Sequence, residues 1–199
     1  MRFWVSTSLA LLFCAVGLSQ PPAPTPVTLP AKHRKVNELT LAGLRPGRDK
    51  AAKAIRLYGT PASLSPDHQS LNWAFEGAEG ALYLNLDVDK ADVVQFIRVS
   101  HGTGPSGVML PKRSPFFARA WESGHGLAAG AMGSQVTQLY GEPDSRSPST
   151  KDGQQLELLY YAFDWAGADV PQVMEVLCTV PQDGKPGRVV EITLAAPSL

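Results

Sequence analysis

With 199 residues, 44% of them hydrophobic, the chain can build one ordinary domain or two small ones around a real core. Eighteen Lys and Arg balance 18 Asp and Glu, so no basic footprint for nucleic acid or an anionic membrane is present, and nucleic acid is not an expected partner.

The chain opens with Arg2, an apolar run from Phe3 to Leu18 broken only at Ser6-Thr7-Ser8, then small residues and prolines. This pattern predicts a secretory signal peptide over 1–19, cut after Gly17 or Ser19, and a periplasmic or secreted location. The run falls short of the roughly 20 apolar residues of a membrane span, so no transmembrane segment is expected in the mature chain. Cys14 follows Phe13 inside the run, not small residues after it, which disfavours lipid anchoring. The mature chain then holds one cysteine, Cys178, and no disulfide framework. Gln20 to Pro30, QPPAPTPVTLP, reads as a polyproline-like spacer within a linker over 20–35.

A first repeat is expected over 36–100. Pro46 lies near a helix start, Ala51, Ala54, Ile55 and Tyr58 form an apolar stripe, and Gly59 with Pro61 ends the helix. Three runs of period two follow: Leu71, Trp73 and Phe75; Leu82, Leu84, Leu86 and Val88; Val94 and Phe96. Asp89-Lys90-Ala91-Asp92 supplies the turn between the last two.

A connector over 101–125 carries Phe116, Phe117 and Trp121, which either plug a core between the repeats or anchor a partner. A second repeat over 126–199 restates the first. Met132, Val136, Leu139 and Tyr140 make the helix stripe, and Gly141 and Pro143 make the stop. Ser147 to Gly153 reads as a mobile polar loop. Strand faces follow at Leu159, Tyr161 and Phe163, at Met174, Val176, Cys178 and Val180, and at Val190, Ile192 and Leu194, with a turn over Gln182–Gly187. Trp165 falls at a strand end, where it is either core or a partner anchor.

The two halves echo one another: Leu57-Tyr58-Gly59-Thr60-Pro61 returns as Leu139-Tyr140-Gly141-Glu142-Pro143. The expected fold is therefore α+β, two tandem repeats, each a short helix packed on a roughly three-stranded antiparallel sheet. Gly43-Leu44-Arg45-Pro46-Gly47 and Gly126-Leu127-Ala128-Ala129-Gly130 precede the two helices. A Gly-Leu-x-x-Gly, short helix, Leu-Tyr-Gly-x-Pro, aromatic strand and hairpin together resemble the repeat of SmpA/BamE-type envelope proteins and tandem β-lactamase inhibitory proteins. That resemblance implies envelope or extracellular binding and assembly without catalysis, and transfers no contact residue.

The reactive residue types do not assemble into a motif. Gly102-Thr103-Gly104-Pro105-Ser106-Gly107 spells a dinucleotide-binding glycine pattern, but Pro105 removes a donor from the phosphate cradle and no helix opens after it. Asp87, Asp89 and Asp92 lack the glycine and bidentate glutamate of a calcium loop. His68, His101, His125 and Cys178 share no metal-ligand spacing, and no Gly-x-Ser-x-Gly elbow occurs. No catalytic, cofactor or metal residue is expected, and no cofactor. The expected function is an exported, non-catalytic binding or envelope-assembly protein with a protein or envelope component as partner; the alternative is an inhibitor of an extracellular hydrolase, a β-lactamase or peptidase. Candidate partner-binding residues are Trp165, Phe116, Phe117 and Trp121.

Overall fold

The computed structural model describes residues 35–77, 80–102, 121–163, 172–182 and 187–196, all within one compact unit, His33–Leu199. The expected signal peptide over 1–19 and the linker up to residue 34 lie outside the described residues, as do Phe116, Phe117, Trp165, most of the Gly102–Gly107 pattern and most of the Gln182–Gly187 turn.

Among the described residues the chain forms α1 (Ala51–Tyr58), β1 (Ser63–Leu64), β2 (Ser70–Gly77), β3 (Gly80–Val88), β4 (Val94–His101), α2 (Gly133–Tyr140), β5 (Ser145–Lys151), β6 (Gln154–Phe163), β7 (Gln172–Thr179) and β8 (Val189–Ala195). All eight strands join one sheet in the order β1-β2-β3-β4-β8-β7-β6-β5, with every neighbouring pair antiparallel. This corrects the expectation of two tandem helix-plus-three-strand repeats: the architecture is a single eight-stranded antiparallel sheet with two short helices. The physical reason sits at the seam. β4 and β8 pair from Phe96↔Ala195 to Ser100↔Glu191, and Ile97, Val99, Ile192 and Leu194 there are at most 1% exposed. Separate sheets would leave both strands as bare edges with unpaired backbone groups and would expose part of an apolar layer that now forms one cluster.

Both helices end at glycine with positive φ, 78° at Gly59 and 80° at Gly141, where a side chain would be strained. The carbonyls of these glycines each accept a hydrogen bond from an echoed aromatic: Trp73 Nε1 donates to Gly59 O and Tyr161 Oη to Gly141 O, both at 3.0 Å. The Leu-Tyr-Gly motif thus fixes each helix end to the second strand after it, β2 in the first half and β6 in the second. Tyr58 and Tyr140 point into the core, and Tyr58 meets Trp73 and Trp121 edge-on. Ile55 and Met132, expected on the helix stripes, are instead 43% and 50% exposed.

Strand alternation follows the expected phase in β2, β3, β6 and β7, while in β4 Val94 buries but Phe96 does not, and in β8 Ile192 and Leu194 bury but Val190 does not. One extra residue enters β4 where the register passes from Asp87↔Phe96 to Val88↔Val94, and one enters β8 where it passes from Leu177↔Glu191 to Cys178↔Val189. Each bulge puts the side chains on its two sides out of phase with one another. Ile97 and Val99 therefore bury in place of Phe96, and Val189 in place of Val190. Val180 lies beyond the end of β7 and is 39% exposed.

Ser147 to Gly153 is not a loop. Residues 145–151 are an edge strand, and Asp152 (φ 51°) and Gly153 (φ 76°) form the two-residue turn into β6, the conformation that Asp-Gly favours in hairpins. Lys151↔Gln154 closes that turn, so Pro148 falls in the alternate set of positions whose nitrogens face away from β6, where proline costs no ladder bond.

Candidate functional site

Three places bring functional groups together. The first is a buried node that straps the N-terminal segment to α2. Glu38 is 1% exposed; its Oε1 accepts from the Leu39 and Thr40 amides and its Oε2 from the His125 amide and the Tyr140 hydroxyl (2.6 Å). Tyr140 has one proton and gives it to Glu38, so Ser123 Oγ, 2.5 Å away, donates to the Tyr140 oxygen while accepting from the Leu127 amide. Burial first, then the Glu38 carboxylate, push the Tyr140 phenol well above its usual range. Serine, histidine and carboxylate meet here, but the His125 ring bonds the Asn37 carbonyl and not Ser123. The Ser123 proton is committed and has no base, so the node is a strut.

The second place is a cleft of about 250 Å³ between the start of α2 and β6–β7, with Ser134, Thr137, Arg146 and Glu157 polar and Leu159 and Cys178 apolar. Arg146 bridges Glu142 at 3.0 Å and Glu157 at 3.6 Å, and the bond to Glu142 is the main cause of its raised pKa. Burial pushes the Cys178 thiol up to about 11, the behaviour of an unreactive thiol. Among the described residues no group of three His, Cys, Asp or Glu is placed to hold a metal.

The third place is the sheet face away from the helices. The register aligns Ser63 with Asn72, Asn72 with Asn85, and Asn85 with Arg98. Across the seam it aligns Arg98 with Thr193, Thr193 with Glu175, Glu175 with Tyr160, and Tyr160 with Ser145. One polar residue from every strand therefore forms a single transverse line. Part of the line is wired: Asn85 Nδ2 donates to Asn72 Oδ1 at 2.8 Å, and Asn72 Nδ2 to Ser63 Oγ at 3.2 Å. In the row beside it Glu191 takes Arg98 at 3.0 Å and Lys151 at 2.6 Å, and the Arg98 guanidinium also lies 4.8 Å from the Phe96 ring centre.

The Lys151 contact reveals curvature. In a flat sheet, three strand spacings and a four-residue offset would put the Lys151 and Glu191 Cα atoms about 20 Å apart, beyond the reach of two extended side chains that here meet at 2.6 Å. The sheet curls so that this face is the inner side, and Leu156 on the same face is only 1% exposed.

Of the four residues proposed from sequence for partner binding, Trp121 is described and is 3% exposed within the core cluster. It is the core plug and not a surface anchor. The transverse line escaped sequence reading because its members occupy the polar half of each alternation, which by itself marks only the face away from the core.

No protein-family model matches the chain, and no curated protein matches its sequence. Among solved structures it is similar to that of a DUF4309 family protein, YjgB, from Bacillus subtilis, with a TM-score of 0.43 and 11% identity over 80% of this chain and 88% of that one. It is also similar to a cysteine-rich secretory protein from Staphylococcus aureus, with a TM-score of 0.40 and 10% identity over 82% of this chain and 48% of that one, so it spans about half the length of that protein. Neither neighbour is a SmpA/BamE-type protein or a β-lactamase inhibitory protein. No helix among the described residues is long and apolar enough to cross a membrane.

Proposed function

We propose that the chain is an exported, non-catalytic binding protein that holds an envelope component against the inner face of its curled sheet. The supporting observation is the transverse polar line: half-buried and exposed side chains from seven strands, joined across β8 by the buried Thr193, are held on rigid backbone along one concave surface. Polar groups on fixed strands are pre-organised, which lowers the ordering cost of binding. The Ser123 and Cys178 groups, by contrast, are committed to packing and hydrogen bonds. Photo-crosslinkers placed at Tyr83 and Tyr160 on the inner face, and at Arg56 and Gln138 on the helices, test this in the native host. Adducts from the first pair alone are expected; adducts from the helix positions alone, or from none of the four, refute it.

A further inference from the structure

Resting on that reading of the inner face, we infer that its ligand is an extended, uncharged, hydroxyl-rich polysaccharide lying across the strands along the line through Asn85, Arg98, Thr193, Glu175 and Tyr160. Three observations carry this. The first is charge. Two cations, Arg98 and Lys151, are both committed to Glu191, and among the described residues exposed Glu175 and half-buried Asp87 add two further carboxylates, so three anions stand against two cations. The face therefore has no surplus cation to hold a phosphorylated or acidic ligand, and a neutral one suits it.

The second is hydrogen-bonding character. A sugar hydroxyl both donates and accepts, and it is matched best by neighbours that do the same. The Asn72–Asn85 amide pair keeps further donor and acceptor positions after its mutual bond, half-buried Tyr160 carries a hydroxyl, and exposed Glu175 only accepts, while Thr193, 5% exposed, forms the floor between them. Aromatic rings flank the line: Phe96 and Tyr83 in the adjacent rows and Tyr160 within it. Ring faces take up the C–H faces of sugars while the edges of both stay hydrogen-bonded. The third is spacing. Adjacent members of the line are one strand apart, about 4.8 Å, close to the length of one pyranose ring, so an extended glycan meets a fresh polar group at each strand it crosses except β8, where Thr193 is buried.

Titrating the purified, isotope-labelled protein with cellohexaose, chitohexaose and their monosaccharides, read by amide chemical shifts, tests the assignment. A hexasaccharide is expected to shift amides around Asn85, Arg98, Glu175 and Thr193, to bind at least about tenfold tighter than its monosaccharide, and to be insensitive to salt. Asn85→Ala and Tyr160→Ala should each weaken it roughly fivefold to tenfold at unchanged melting temperature, a loss of the size of one hydrogen bond, while Arg56→Ala leaves it unaltered. No shifts with either hexasaccharide, shifts elsewhere, or affinity that falls steeply with salt overturns the assignment. If the sugars fail while crosslinks still arise from Tyr83 and Tyr160, the glycan is refuted and the binding face stands; if both fail, both are refuted.

Discussion

Tyr140→Phe should be among the most costly single-atom deletions in this protein. Tyr140 is fully buried, and its hydroxyl both donates to the Glu38 carboxylate at 2.6 Å and receives Ser123 Oγ at 2.5 Å. A hydrogen bond to a charged group contributes about 1.5–3 kcal/mol, and the Ser123 hydroxyl would be left without an acceptor, so the expected loss is about 2–4 kcal/mol. Tyr161→Phe provides the reference. It removes only the neutral bond to Gly141 O and should cost about 1 kcal/mol. Urea unfolding measures both, and the larger loss corresponds to a fall in Tm of roughly 10 °C for a chain of this size. Glu38→Gln extends the logic. All four contacts to Glu38 are donors, so the amide nitrogen would face two N–H or O–H groups whichever way it turned, and the variant should lose at least as much as Tyr140→Phe. The Tyr140 phenol has a pKa raised above its unfolded value near 10; its share of stability is complete below pH 10 and is lost as the pH climbs toward the folded value. If Tyr140→Phe costs no more than Tyr161→Phe, the strut is not a strut.

Gly187→Ala should destabilise by about 2–4 kcal/mol, because a Cβ there would stand 2.3 Å from the Thr179 carbonyl oxygen, a backbone atom with nowhere to go; a urea midpoint equal to wild type would contradict this. The Cys178 thiol, held up to about 11 by burial, should react with a disulfide reagent only slowly at neutral pH and promptly in denaturant, and rapid native labelling would show it to be accessible. Asp144 has a lowered pKa, caused first by its bond to Lys35 and then by the Ala162 amide. It therefore stabilises the fold above its unfolded pKa near 4, and that contribution disappears as the pH falls toward the folded value. With 40% of its side chain exposed the effect is small, and Asp144→Asn should flatten the acid side of a melting-temperature profile without altering the plateau by more than about 1 kcal/mol.

What could be read in advance was local. Glycine after Leu-Tyr marks a helix end because the chain there needs positive φ, and Gly59 and Gly141 have it. Alternation in β2, β3, β6 and β7 predicts their buried faces because nothing interrupts the pleat. The bulges in β4 and β8 interrupt it with a single residue and leave no compositional trace, so alternation alone places Phe96 and Val190 on the face that Ile97 and Val189 occupy. β5 reads as loop because an edge strand with few buried positions needs no apolar period, although its Asp-Gly turn was a usable signal. Glu38 was invisible for a different reason. Its four donors come from its own segment, from His125 and from Tyr140, and no local pattern announces that a lone carboxylate will be enclosed.

The single sheet and the transverse polar line have one origin. Pairing β4 with β8 joins residues nearly a hundred positions apart, and sequence separation of that kind carries no periodic signal. Yet that pairing sets Arg98 beside Thr193 and within reach of Glu191, and so turns two short polar rows into one that crosses the molecule. Two separate small sheets would each present four polar side chains and an unpaired edge. One curled sheet presents eight in register on an inner face, with its central strands paired on both sides. The continuous polar line is thus a property of the seam and not of either half. Arg98→Ala, which removes the guanidinium that spans the seam, should therefore impair ligand capture from both halves of the line at once, whereas loss confined to contacts on β1–β4 would mean that the halves bind independently.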